Sequence, residues 1–407
     1  MITGAGAITP LGLDVPAFWR ACVEGRSGVR AIAAFDAAAF PCRIAGEAWG
    51  FDPLTRMSPK EAARAARFVQ FAVCAAAEAW DDAGLGNAEI DGSRLSVVWG
   101  TGSGGAPMMD QVLGAAREGG WAACEPLALL KVTPDSAANA LAMRFGAHGP
   151  VSTVVAACAS STLAVVEAVR LIREGLADVV IAGGSEAWIT PLGIGSFCLL
   201  RALSTGRNDA PETASRPFDR TRDGFVPAEG AAALIIESAE HAQRRGARPI
   251  AEIAGCGVTN DAHHAVAPDP AATYAARAIT LALEDAEMSP DEIDHVNAHG
   301  TSTVLNDVAE TKALKLALGE HAQWVPVSAV KSMTGHGLGA SGAWELIATA
   351  CALRDGVVPP TLNCECADPA CDLDYVGGRA RRLPVRAALK TSFGFGGQNV
   401  ALVLRRR

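Results

Sequence analysis

Charge is scarce in this 407-residue chain: 19% of its residues are Asp, Glu, Lys or Arg, while half are hydrophobic. With a mean hydropathy of +0.20, that balance excludes a disordered chain and leaves ample apolar material for a large core. A basic excess is also missing. Lys and Arg number 35 against 44 Asp and Glu, a net charge of -9, which argues against general nucleic-acid binding because phosphate neutralisation needs a basic surface. No export signal opens the sequence, since MITGAGAITPLG is too short and too Gly-rich. One uncharged stretch approaches membrane length, Gly149 to Val166. It carries Pro150, Ser152, Thr153, Cys158, Ser160, Ser161 and Thr162, so the expectation is a buried strand and helix instead of a span.

Two ligand fingerprints are absent as well. Cys364, Cys366 and Cys371 form C-x-C-x4-C without a paired CxxC or a nearby fourth ligand, which speaks against zinc. GAGAITPLG and GTGSGG do not match GxGxxG with an acid about twenty residues on, which speaks against a dinucleotide fold. Eleven scattered cysteines, an odd number, read as reduced thiols in a cytoplasmic protein.

The length exceeds what one hydrophobic core usually supports, so two domains or one large duplicated one is expected. Internal echoes favour duplication. Ala79–Asp91 precedes the strand-like RLSVVWG, and Ala282–Asp294 precedes HVNAHGTS; GPVSTVV and VPVSAVK each lead into a helix and a further β-branched run. Each half reads as alternating strands and helices, the pattern of parallel α/β sheets, with a seam near Pro249 that divides residues 1–249 from 250–407. Ser204–Asp223 and Asn363–Asp374 read as polar excursions between elements.

Among the cysteines, Cys158 stands out by position, because VSTVVAA ends there and a helix begins. A thiol at a helix N-terminus meets unpaired N–H groups and the positive end of the helix dipole, which favour thiolate and can hold an oxyanion. A small buried hydrophobe is the ordinary alternative. His299 and His336 each follow a strand in a small-residue loop, where open α/β sheets place their ligands. Lys331 lies five residues before His336, and Glu345 nine beyond it, as a charge partner. In TSFGFGGQN, Gly394, Gly396 and Gly397 permit close backbone approach while Phe393 and Phe395 can shut a site to water.

AACASST, NAHGTST, KSMTGHGLGASGAWE and SFGFGGQN, in this order, resemble the β-ketoacyl-[acyl carrier protein] synthases of the condensing-enzyme family, most closely synthase II. The resemblance covers essentially the whole chain, including RALSTGRND and SRPFDRTRDGFVPAEGAA. It implies a thiolase-like fold of two pseudo-symmetric halves stacked α/β/α/β/α. It implies a Cys-His-His site at Cys158, His299 and His336, with Lys331 and Glu345 orienting the histidine loops. The backbone N–H groups of Cys158 and Phe395 would form an oxyanion hole, Thr301 and Thr303 would bind the phosphopantetheine arm, and Phe393 and Phe395 would gate. No bound cofactor is implied; substrates arrive on the phosphopantetheine of an acyl carrier protein. An acidic enzyme needs a local basic patch to dock that acidic partner. Lys60, Arg64 and Arg67 at near-helical spacing, with Arg201 and Arg207 flanking a loop, are the candidates. A dimer is implied, with itself or with a ketosynthase-like paralogue, and the activity is fatty acid elongation or the ketosynthase duty of a type II polyketide system. Two departures stand out: the sequence opens at Ile2-Thr3-Gly4, several residues short of the family's usual first strand, which implies a misassigned start or a short strand, and Lys131 stands where an apolar residue near the acyl tunnel and dimer interface is expected, which implies a lysine that snorkels to a surface or a different chain-length pocket or partner.

Overall fold

A computed structural model describes residues 1–407, the Asn87 side chain excepted. Ten strands make two five-stranded sheets. The first contains β1 (Ile2–Ile8), β2 (Leu95–Gly100), β3 (Val151–Val154), β4 (Val179–Glu186) and β5 (Gly230–Glu237); the second contains β6 (Glu252–Asn260), β7 (His295–Asn297), β8 (Val327–Ser328), β9 (Ala387–Gly394) and β10 (Gln398–Arg405). Their spatial orders, β1-β5-β4-β2-β3 and β6-β10-β9-β7-β8, are the same permutation. Strand directions match too: two antiparallel neighbours lead into two parallel ones in each sheet. Thus the sheets are mixed, not wholly parallel as alternation alone suggested. Antiparallel β5 and β10 are the late strands of each half, and strand–helix alternation carries no direction for them.

Six helices supply the other layers: α1 (Arg67–Asp82), α2 (Ser136–Phe145), α3 (Ser160–Arg173), α4 (Thr273–Asp285), α5 (Val304–Leu318) and α6 (Ser341–Asp355). One core packs α1 and α2 on the outer face of the first sheet, and another packs α4 and α5 on the second. Between the sheets lie α3 and α6, whose cluster draws residues from both sheets. That is the five-layer α/β/α/β/α stack. Being covered on all sides, α6 is buried from Ser341 to Leu353, which is why it lacks an amphipathic stripe.

Several local expectations need correction. β1 is a seven-residue, fully buried strand, not a short one, although its register shifts between Ile2 and Gly4. β3 is an edge strand with exposed residues, not a buried one; Val151 and Val155 face outward. The echo between halves holds through the third strand and then breaks, because Val357–Val358 pairs with Arg381–Arg382 in a side ribbon before β9 begins. Lys131 does not reach a surface as a snorkelling lysine would: it is buried, its Nζ donating to the Ala63 carbonyl at 2.7 Å and meeting Glu125 at 2.8 Å. The two polar excursions pack on each other through Asp219, which accepts from the Glu365 and Cys366 N–H groups. All eleven cysteines are free thiols, and no described helix is long and apolar enough to cross a membrane.

Candidate active site

The site gathers where strands of both sheets end. After β3 the chain makes a tight turn in which Ala157 has φ 48°, a left-handed conformation costly for a residue with a Cβ. Cys158 follows in a short 3-10 turn that leads into α3. Gly100, at the end of β2, lets this turn approach: a Cβ there would lie 2.5 Å from the Ser160 backbone. His299 follows β7, and His336 follows β8 after the single helical turn Lys331–Thr334. The Cys158 sulfur and one nitrogen of each imidazole lie within 4.8 Å of one another, all three residues buried. The imidazole rings stand 5.5 Å apart and nearly perpendicular.

Hydrogen bonds fix both tautomers. The Lys331 ammonium can only donate, and its Nζ lies 3.2 Å from His299 Nδ1. The Leu338 N–H donates to His336 Nδ1 at 3.2 Å, with Ser341 Oγ at 3.0 Å from the same atom. Each Nδ1 therefore accepts, which leaves the proton on Nε2. His336 Nε2 is buried without a partner. Burial, then the Lys331 ammonium, holds both imidazoles well below the ordinary histidine range, so both are neutral donors. Lys331 also donates to the His299 carbonyl and pairs with Glu345. Glu310, on α5, accepts from the backbone N–H groups of His299 and Gly300 and from Thr391.

The thiol departs from expectation. Burial pushes Cys158 up to about 11, opposed by the Lys331 ammonium and by the N–H groups of Phe395 and Cys158 itself. The dipole and those two N–H groups are present, but desolvation outweighs them, and the resting group is a protonated thiol.

A cavity of about 310 Å³ reaches from exposed Leu200, Arg201 and Leu305 down to Cys158, His299 and His336. Thr301 and Thr303 line it, their hydroxyls 2.9 Å apart, and so do Phe393 and Phe395. Phe393 sits 5.9 Å from the His299 ring. Of the five basic candidates, only Arg201 lines this mouth. Lys60 and Arg64 are exposed on the short helix Pro59–Arg64. That helix ends at an extended Ala65, so Arg67 does not continue its face; it opens α1 and grips buried Glu229 with two hydrogen bonds. Arg207 is half-buried and donates to Thr221.

Glu186, Glu310, Ser341 and Lys390 were not found from the sequence. Glu186 accepts the Gly102 and Gly339 N–H groups and so ties the two glycine loops together. A lysine inside the buried run AALKTSFG was the one legible signal. Among described residues, the only His/Cys/Asp/Glu group at metal-ligand spacing is Cys158, His299 and His336. The neighbouring ammonium of Lys331 opposes a cation there. Cys364, Cys366 and Cys371 gather no such set.

This five-layer fold, with a cysteine and two donor histidines meeting at strand ends, defines a thiolase-like acyl-transfer enzyme. The Beta-ketoacyl synthase N-terminal domain family matches residues 1–242 and its C-terminal domain family residues 250–365. The chain belongs to the β-ketoacyl synthase family. It is 45% identical to a 3-oxoacyl-[acyl-carrier-protein] synthase 2 of Synechocystis sp., covering 100% of this chain and 97% of that one. The corresponding Coxiella burnetii protein is 43% identical, covering 100% and 98%. Among solved structures, a β-ketoacyl synthase from Burkholderia phymatum superposes with a TM-score of 0.92 at 36% identity, covering 100% and 98%. A type II polyketide ketosynthase solved with its acyl-carrier protein gives 0.92 at 37%, with the same coverage.

Proposed function

We propose that this chain elongates acyl chains in fatty acid synthesis by decarboxylative condensation. The observation that carries the reading is the convergence of one thiol and two Nε2–H imidazoles at the floor of a cavity that opens beside Arg201. In the first half-reaction the Cys158 sulfur attacks an acyl thioester on carrier-protein phosphopantetheine. The Cys158 and Phe395 N–H groups hold the tetrahedral oxyanion, and the thiol proton leaves on the carrier thiol. Malonyl-carrier protein then enters, with Thr301 and Thr303 hydrogen-bonding its arm. Its C–C bond to the carboxylate breaks and CO2 departs. The electron pair becomes an enolate whose oxygen accepts from His299 and His336 Nε2–H. The enolate carbon attacks the acyl-cysteine, the thioester bond to Sγ breaks, and the released thiolate takes a proton. The product is 3-oxoacyl-carrier protein.

Neutral imidazoles suit this chemistry, because a donor is needed at the enolate oxygen and no net proton is removed from substrate. The division at 249/250 would give the nucleophile to one half and both enolate donors to the other. Edge strand β3, with exposed Val151 and with Val155 exposed just beyond its end, supports a second copy or a paralogue across that edge, and the first half also exposes the apolar side chains of Met109, Trp121, Leu129 and Leu130. A polyketide role is the second reading, favoured by the likeness to a polyketide ketosynthase at 37% identity; the 45% identity to a 3-oxoacyl synthase favours fatty acid duty. Intact-mass analysis tests both. Saturated acyl-carrier donors should acylate the wild type but not Cys158→Ala, and malonyl-carrier protein should then give a product two carbons longer. Acylation by polyketide-type donors alone would overturn the fatty acid reading.

A further inference from the structure

The site contains a second fully buried lysine that the chemistry above does not use. Lys390, in β9, has no exposed surface. Its ammonium lies 2.6 Å from Glu345 Oε2 and donates to the Thr391 carbonyl and the Ser392 hydroxyl. The other oxygen of Glu345 takes Lys331, which in turn meets His299 Nδ1 at 3.2 Å. Ser392 Oγ lies 2.8 Å from Thr162 Oγ1 on α3, the helix that follows Cys158. One carboxylate is thus held between two ammonium groups, with a hydroxyl chain running on to the nucleophile's helix.

A buried charge needs partners fixed in geometry, since no water can replace a lost one. Without Lys390, Glu345 Oε2 has no counter-charge, and the carboxylate is free to turn onto Lys331 and draw Nζ away from His299. We propose that Lys390 is a positioning residue of the condensation: it locks Glu345 so that Lys331 stays on His299, and through Ser392 and Thr162 it holds the cysteine's helix in register with the histidine loops. The inference rests on the decarboxylative reading above.

The groups facing this cluster are Lys331 and Glu345 from the β8–α6 segment, Glu310 from α5, His299 and His336 from their loops, and Cys158 across the cavity. Burial, opposed by Glu345, brings Lys390 down to about 8. The protonated form makes the lock, so activity should fall as pH rises through that value.

The test is CO2 release from malonyl-carrier protein between pH 6.5 and 9 by wild type, Lys390→Met, Glu345→Gln and the double variant. Lys390→Met should lose about tenfold in kcat at pH 7 with KM nearly unchanged, the signature of an effect on the transition state alone, and should lack the wild-type limb near pH 8. Glu345→Gln strands two buried ammonium groups, so the double variant should be more active than Glu345→Gln. A Lys390→Met enzyme with wild-type kcat, or with reduced kcat and an unchanged limb, would overturn the inference. Should that variant not fold, the wild type decides: no limb near pH 8 overturns the proposal. A wild type that releases no CO2 from any malonyl-carrier protein defeats the functional reading, and this inference with it.

Discussion

The two halves share one strand permutation, yet they furnish the site with opposite chemistry. At the end of β2 the first half offers Thr101-Gly102-Ser103, with no imidazole; at the matching end of β7 the second half offers His299. After β3 the first half places Cys158, whereas after β8 the second places Lys331 and then His336. Buried charge follows the same asymmetry. Lys331, Lys390, Glu345 and Glu310, the buried charges nearest the imidazoles, all belong to the second half, whereas the first sends in Glu186 and, at the cavity wall, Arg222, which donates to the Thr303 and Val304 carbonyls. Duplication supplies two facing sets of strand ends, and in the proposed reaction sequence divergence makes one nucleophilic and the other polarising.

If this division is right, removing the nucleophile should have the largest effect. Cys158→Ala should lower condensation by at least about 1,000-fold, since no acyl-enzyme can form; intact mass should show no acyl adduct. Residual condensation at a tenth of wild type would break the assignment. His336→Ala should cost about 100- to 1,000-fold in CO2 release, the usual toll of one oxyanion donor. Acylation of Cys158 should persist in that variant, which separates the halves kinetically. Equal loss of both steps would show that the halves do not divide the work.

The resting thiol gives a pH test of the same contrast. With Cys158 near 11, its thiolate fraction should rise about tenfold per pH unit between 7 and 9, and iodoacetamide labelling with it. A plateau over that range would mean a thiolate–imidazolium pair, contrary to neutral histidines. A smaller effect should come from the seam between halves. A Cβ at Gly342, on α6, would lie 2.0 Å from Thr162 Oγ1 on α3. Gly342→Ala should therefore part the central helices and destabilise by about 1–3 kcal/mol, read as a lowered Tm.

What could be read from the sequence follows from where each feature lies. Cys158, His299 and His336 stand in loops whose neighbouring residues make the turns, so the local string identifies them. Glu310 does not, because a charge on a helix reads as solvent-facing until the opposite layer is known, and Lys390 offers only its place in the otherwise uncharged run AALKTSFG. Glu310 in VLNDVAETKALKLAL looks like any exposed helical acid, yet it is fully buried under the His299 loop. Arg67 was misplaced for a different reason: a break at Ala65 turns one apparent helix face into two. The thiol state was misjudged because a helix dipole is visible in a sequence and burial is not. The echo between halves located corresponding second and third strands, but β5 and β10, which fix the antiparallel part of each sheet, left no shared string.

The mouth of the cavity is where the comparison can be sharpened most gently. Arg201 lines it with a backbone φ of 53°, exposed beside Leu199 and Leu200, whereas Lys60 and Arg64 stand on a separate short helix outside the cavity lining. Reversing one rim charge alters encounter more than chemistry. Arg201→Glu should raise KM for carrier-bound substrates several-fold, more so at low salt, and leave kcat and turnover of a short pantetheine thioester unchanged. Lys60→Glu should do less within one protomer. A larger effect from Lys60 would mean that the helix Pro59–Arg64 is brought to a cavity by a second chain, making the docking surface a shared property of the assembly, while the two halves of one chain retain the chemistry.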